Sequence, residues 1–393
     1  MEILFITGGF PSPDKPAKSI FNLRAALALK DLVEIRVVHF RAWRPGRPWF
    51  SSSSLEGLPV FSLALPFFPW PSADYAALVP VWRVLARRSL ARFCGSADVI
   101  HSVGVDLGGL IGSDLSLRFG IPHVAQATGS DLLFHLPRLA SRPWLRKWVD
   151  GVEIVLCNSD ALRVDWNRQY PNGSSAVVVR RGTDLARYRT DTLPEAKARR
   201  FLFLGGYANR SSTGFGVDLK GAVTLMEAWS RLDLDPGFSG QLCFGGPNSA
   251  HRNVRAWRSA LRFPERVRLI GELDPTDVPA SLGETDVVLM PSRSEGLPNL
   301  AVEAAAATRV VFGSAVGGVP EAVHDRETGL LLPPGDSSAW QEAIRDATHG
   351  RFPLGQWARA ARSLAKREFD QSHYPHALHE LYSRITRLER PRG

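Results

Sequence analysis

Cysteine is scarce in this chain. Its three cysteines, Cys94, Cys157 and Cys243, are widely separated and show no C-x-x-C spacing. An odd, scattered set excludes a disulfide framework and a zinc site and points to a reducing compartment. Long apolar runs are lacking as well. The longest, Leu58 to Trp70, is interrupted by Pro59, Pro66 and Pro69, so nothing reads as a bilayer span. The opening M-E-I-L-F-I-T-G-G-F has no basic leader, which makes it a first strand and not a signal peptide. Familiar nucleotide and metal signatures are incomplete. Gly8-Gly9 does not extend to G-x-G-x-x-G, and between Gly216 and Gly221 the lysine, Lys220, precedes the second glycine where a P-loop needs it after. Asp233-Leu234-Asp235 has the D-x-D form of a divalent-metal site. It stands beside Pro236-Gly237 in a turn setting without companion ligands, so no metal is expected. Negative charge is in deficit: the formal net charge of +9 favours an acidic partner, and no nucleic-acid recognition motif accompanies it.

What is present organises the chain in halves. At 393 residues it exceeds one usual core and predicts two domains or three, and 44% hydrophobic with 22% charged content is ordinary for a folded soluble protein. No short repeat is visible, but Ile3 to Phe10 is echoed by Phe201 to Tyr207: each is an apolar strand, two glycines and an aromatic residue. Two such starts suggest two doubly wound α/β domains, each opening with its own first strand and glycine turn. Strands are also expected at Val33 to His39, Asp98 to Ser102, Ile121 to Ala127, Val152 to Asn158, Ala176 to Arg180, Gln241 to Gly246 and Arg266 to Gly271, with helical runs such as Ser19 to Lys30 and Ser159 to Tyr170 between them. The polar stretch 189–199, containing Pro194, reads as a linker between a first domain over 1–188 and a second over 200–370. Gly8 and Gly9 either let backbone approach a ligand or make a tight turn. His101, ending D-V-I-H-S, reads as structural.

The stretch with most chemistry is Pro291 to Ala307, P-S-R-S-E-G-L-P-N-L-A-V-E-A-A-A-A, preceded by the β-type run Asp286 to Met290. A strand that ends in a Ser/Gly/Pro turn and opens into a helix aims unpaired N–H groups and the positive dipole end at the sheet edge, which suits an anion such as phosphate. Glu295 falls in the loop and Glu303 about one turn inside the helix, where a carboxylate can accept from ribose hydroxyls. Pro298 suits the first helical turn. An ordinary strand–turn–helix with two solvated glutamates has the same spacing.

The E-G-L-P-N-L-A-V-E segment, G-G-V-P-E at Gly317 to Glu321 and E-T-G-L-L-L-P-P-G-D at Glu327 to Asp336, in that order, resemble the retaining glycosyltransferases of family four. The resemblance implies the GT-B fold: two Rossmann-like doubly wound domains facing across a cleft, an acceptor domain first and a nucleotide-sugar domain second. Residues 371–393 would then form a helix crossing back to the first domain. It implies transfer from a nucleoside-diphosphate sugar to a glycan or lipid-linked acceptor, with front-side attack and neither metal nor cofactor. Lys220 of the Lys220-Gly221 pair becomes a diphosphate clamp. Where the family places an arginine after the strand glycine this chain has Gly206-Tyr207, and Arg210 is the nearest substitute. Glu272 and Leu273 would seat the base, and Glu295, Gly296, Leu297, Asn299, Leu300 and Glu303 would line the donor site with Gly9. Gly317 and Gly318 would offer backbone N–H groups. In Thr128-Gly129-Ser130-Asp131 the family's usual histidine is Thr128, which cannot titrate near neutral pH; Thr128 and Asp131 nevertheless stand as catalytic candidates beside Glu295 and Lys220. Thr308-Arg309-Val310 departs from the family's glycine and proline at that turn. A donor-binding protein without turnover, or a nucleotide-sugar epimerase, is the alternative. The start F-P-S-P, then S-I-F, resembles the envelope and capsular polysaccharide branch.

Arg41 to Trp70 interleaves Arg41, Arg44 and Arg47 with Trp43, Trp49 and Phe50, and Phe67, Phe68 and Trp70 follow. Arginines with irregularly held aromatics either pack under the loop as core or, as expected here, dock on an anionic membrane surface, at the inner face of the plasma membrane for a cytoplasmic protein. The helical run Tyr75 to Phe93 is a weaker candidate.

Overall fold

Apolar strands that bury both faces draw the chain into two parallel sheets. In the computed structural model the described residues are 1–12, 19–46, 48–66, 78–142, 145, 149, 151–190, 192–208 and 218–388. They fall into two units, Met1–Arg181 with Ser372–Gly393, and Gly182–Gln371.

The first unit holds β1 (Glu2–Thr7), β2 (Glu34–Ala42), β3 (Phe50–Leu55), β4 (Leu58–Leu65), β5 (Val99–Val103), β6 (His123–Ala127), β7 (Ile154–Cys157) and β8 (Ser175–Val178), in the order β3-β4-β2-β1-β5-β6-β7-β8. All neighbours are parallel except β3 on β4. Alternation along β1 fixes its two faces. Leu4 and Ile6 enter a core with α2 (Val79–Cys94) and α3 (Leu107–Phe119). Ile3 and Phe5 enter another with α1 (Ile20–Leu29) and the carboxyl-terminal helix His373–Leu388. That helix buries Tyr374, Leu378, Tyr382 and Ile385, and the Tyr382 hydroxyl meets His101 Nδ1. His101 is fully buried, a structural residue of β5.

The hairpin β3–β4 was not among the expected strands. Glu56 and Gly57, at φ 50° and 85°, make the two-residue turn that right-twisted strands favour. Phe50 consequently packs against Phe61 and Phe93, with the Arg92 guanidinium 4.4 Å from its ring centroid. Phe50 is thereby corrected from a lipid-facing residue to a packed one. Trp43 and Trp49 do stay 38% and 49% exposed, stacked at 5.2 Å. Arg47, Phe67, Phe68 and Trp70 lie outside the described residues.

The second unit orders β9 (Arg200–Phe203), β10 (Gln241–Gly245), β11 (Val267–Gly271), β12 (Val287–Met290), β13 (Val310–Ser314) and β14 (Gly329–Leu332) as β11-β10-β9-β12-β13-β14, all parallel. This 3-2-1-4-5-6 sequence reverses direction between β9 and β12. One face is covered by α4 (Ala222–Asp233) and α5 (Ser337–Thr348) around Trp229 and Trp340, and the other by α6 (Asn299–Ala306) and α7 (Leu354–Glu368). The alanine run of α6 has a packing reason: Ala305 lies against Ala361 and Ala365, where larger side chains would force the helices apart.

The stretch read as a linker is instead a strap on the second unit, which moves the expected boundary from 188/189 to 181/182. Buried Asp286 accepts from the backbone of Glu195, Arg199 and Arg200 and pairs with the Arg200 guanidinium at 2.8 Å. Arg309, 1% exposed, donates to the carbonyls of Thr192, Leu282 and Gly283 and to the Thr192 hydroxyl. Polarity here marks long-range hydrogen bonding, not solvation.

Candidate functional site

The reversal between β9 and β12 is where an open parallel sheet leaves a crevice at its carboxyl edge. Three loops meet there in the second unit. Gly221, at φ 72°, lets 218–221 close on 291–295: a Cβ would overlap the Pro291 carbonyl oxygen, and Arg293 N–H donates to Leu219 O at 2.8 Å. Gly317, at φ 48°, presses on the Glu295 carbonyl in the same way. The role of Gly317 is therefore close packing of the glutamate loop.

That packing brings Lys220 Nζ to 2.7 Å from Glu295 Oε1, and Ser292 Oγ–H donates to the same oxygen at 2.7 Å. Lys220 is 48% exposed and Glu295 10%, so the ammonium faces outward while the carboxylate is held from beneath. Beside them α6 begins at Asn299, after Pro298 at the cap position and with no side chain capping it. Pro298 thus precedes the first helical turn instead of lying in it. The uncapped start leaves N–H groups and the positive dipole end for a ligand. Gly296 is buried, Leu297 and Leu300 half-buried, and Asn299 exposed. One turn on, Glu303 Oε1 accepts from the Tyr188 hydroxyl at 2.8 Å. Glu272 is exposed and Leu273 half-buried after Gly271, at the end of β11. Arg210 lies outside the described residues.

In the first unit the carboxyl edge is set by β1, β5 and β6. Gly9 is pinned there, its carbonyl accepting from Asn22 Nδ2 at 2.7 Å. The Thr128–Asp131 loop differs from the catalytic reading. Asp131, 3% exposed, accepts from the N–H groups of Val105, Thr128 and Gly129 and from the Thr128 hydroxyl at 2.9 Å. Burial, then the neighbouring Asp106 charge, push its carboxyl up against those bonds. Asp131 therefore braces the loop, and the Thr128 hydroxyl donates to it. The sequence reading passed over Asp106 and His135, paired at 2.7 Å and partly exposed at 23% and 33%. The bond to Asp106 raises the imidazole above its ordinary value. The only sequence signal was the position of Asp106 just past the end of β5.

Asp233 instead pins a loop: its buried carboxylate accepts from the N–H groups of Arg262 and Phe263. Among the described residues no group of three or more His, Cys, Asp or Glu could hold a metal ion, and no helix is long and apolar enough to cross a membrane.

Comparison with known proteins adds to this geometry. Residues 200–349 match the family model described as glycosyl transferases group 1. The chain is 30% identical over 297 residues to a D-inositol 3-phosphate glycosyltransferase of Saccharomonospora viridis, covering 70% of this chain and 67% of that one. It is 25% identical to the putative teichuronic acid biosynthesis glycosyltransferase TuaC of Bacillus subtilis over 98% of this chain and 99% of that protein. A sucrose-phosphate synthase from Thermosynechococcus elongatus superposes with TM-score 0.76 at 18% identity, covering 99% of this chain and 100% of that one. HepE of Anabaena in complex with UDP does so with TM-score 0.70 at 18% identity, over 98% and 100%. Both likenesses are of fold, the GT-B pair of Rossmann-like units.

Proposed function

This chain belongs to the glycosyl transferases of group 1, and from that premise we propose that it moves a sugar from a nucleoside-diphosphate donor to a glycan or lipid-linked acceptor, with retention and without a metal. The observation that carries the reading is the meeting of Lys220, Glu295 and the uncapped start of α6 at the reversal point of the second sheet. In the free protein Glu295 holds the Lys220 ammonium in place. A bound donor takes that ammonium and the α6 N–H groups onto its diphosphate, where they stabilise the charge that develops as the glycosidic bond breaks. Glu295 is then free to accept from the donor sugar, and Glu303 from the ribose. With Thr128 and Asp131 occupied by each other, the acceptor proton passes to a leaving phosphate oxygen in front-side attack.

The full-length likeness to TuaC supports a role in bacterial surface polysaccharide synthesis. We place the protein at the cytoplasmic face of the membrane, docked on anionic lipid through stacked Trp43 and Trp49 and the exposed side of α2. That side carries Val81 and Val84, 46% and 48% exposed, with Arg88 and Arg92 along it. A donor-binding protein without turnover is the second reading, favoured by the absent histidine at position 128. The test is release of nucleoside diphosphate from UDP-, GDP- and ADP-sugars, with the product anomer read by NMR and with EDTA present. Turnover that survives EDTA and keeps the donor anomer is expected. Inversion or a strict manganese requirement overturns the mechanism, and no turnover favours the second reading.

A further inference from the structure

The strap that follows residue 182 does more than tie the chain down, because two consecutive residues of it reach both stretches assigned to the nucleoside, the loop after β11 and α6. Asp184 Oδ1 accepts from the N–H groups of Ala186 at 3.0 Å and Arg187 at 3.3 Å, a local turn that fixes where the next side chains leave the backbone. Arg187 Nη2 donates to the Pro275 carbonyl at 2.7 Å and so braces the loop that follows Glu272 and Leu273. Tyr188, 2% exposed, belongs to the buried cluster that also holds Met290, Ala301 and Val302, and donates its hydroxyl to Glu303 Oε1 at 2.8 Å. Thr190 Oγ1–H then donates to the Ala307 carbonyl at 2.6 Å, at the far end of α6. A half-buried glutamate one turn into a helix has several rotamers open to it. A hydroxyl donor set in the core selects one of them.

We propose that Tyr188 is a positioning residue for ribose recognition: its hydroxyl presets the Glu303 carboxylate, while Arg187 presets the base loop. This rests on the assignment of Glu303 to the ribose made above. The strap leaves the first unit at 181/182 and is clamped at once, with Thr183 N–H donating to Phe369 O at 2.8 Å and Gln371 N–H to Thr183 O at 3.1 Å. The brace is therefore anchored at the two chain crossings, a few residues from the nucleoside seat it holds.

The experiment measures dissociation constants for UDP and 2′,3′-dideoxy-UDP with the full chain as wild type, Tyr188→Phe and Glu303→Ala. If thermal unfolding shows that GDP or ADP is the nucleotide that binds, that nucleotide and its dideoxy form replace the pair. Tyr188→Phe keeps the buried ring and removes the hydroxyl that reaches Glu303, so it is expected to fold and to weaken ribonucleotide binding about 3- to 10-fold. Binding of the dideoxy nucleotide is expected to be unchanged, because the carboxylate has nothing to receive from it. Equal weakening of both nucleotides by Tyr188→Phe makes the hydroxyl merely structural and overturns the proposal, as does an unchanged ribonucleotide affinity. If Glu303→Ala binds the ribonucleotide as tightly as wild type, the ribose assignment itself fails, a result separate from any effect of Tyr188→Phe.

Discussion

Replacing Lys220 by methionine keeps most of the aliphatic stem and removes the ammonium, which separates what that charge does for stability from what it does for transfer. The side chain is 48% exposed and its ion pair with Glu295 is open to solvent on one side. A pair of that kind contributes about 0.2–1 kcal/mol, and Glu295 keeps the Ser292 hydroxyl at 2.7 Å when the lysine is gone. For a domain of this size that is a fall in Tm of at most about 4 °C. On the proposed mechanism the same group is a preorganised donor to the leaving diphosphate at the transition state, and loss of one such donor costs about 3–4 kcal/mol, or roughly a hundred- to a thousandfold in kcat. The assay is nucleoside-diphosphate release at saturating donor, run beside a thermal melt of the same sample. A rate within about threefold of wild type refutes the clamp. A melt lowered by much more than the ion pair allows shows that Lys220 serves the fold.

Two other outcomes follow from the first unit. His101 and His123 are fully buried, and burial lowers both to about 3, with the Arg181 charge adding to the effect at His101. Both imidazoles stay neutral in the folded chain but take up protons near pH 6.5 when unfolded, so stability is complete above that pH and falls as pH drops from 6.5 toward 3. Urea unfolding at pH 7.5 and 5.5 should differ by about 1.4 kcal/mol for each histidine, and equal stabilities at the two values would sink the assignment. For the membrane face, flotation with anionic liposomes at low salt should carry the wild type and lose a folded Trp43→Ser, Trp49→Ser variant; equal flotation removes the tryptophan pair from the docking surface.

Strands with continuous apolar sequence were legible because burial of both sheet faces leaves no other composition, and β1, β5, β6, β7, β9 and β12 all lie within a residue or two of where the runs put them. The hairpin partner β3 was not, since F-S-S-S-S-L carries no apolar alternation and is held by β4 alone. Lys220 and Glu295 are 75 positions apart, and the glycines that close their loops gave the sequence its motif. The strap was misread for the opposite reason. Its polar residues are satisfied by Asp286 and Arg309, some ninety and more positions away, and local composition carries no trace of such partners. Asp131 looked catalytic at a strand end, and only the three N–H groups turned onto it identify a brace.

The most direct measurement of nucleotide binding by the second unit is thermal unfolding of the full chain with UDP, GDP and ADP, in wild type and Glu303→Ala. A ligand present at about 100 times its dissociation constant adds roughly 2.7 kcal/mol to the folded state. One of the three should raise the Tm of wild type and do so far less for Glu303→Ala. If millimolar concentrations of all three leave the wild-type transition where it was, Lys220, Glu295 and the start of α6 do not form a donor site.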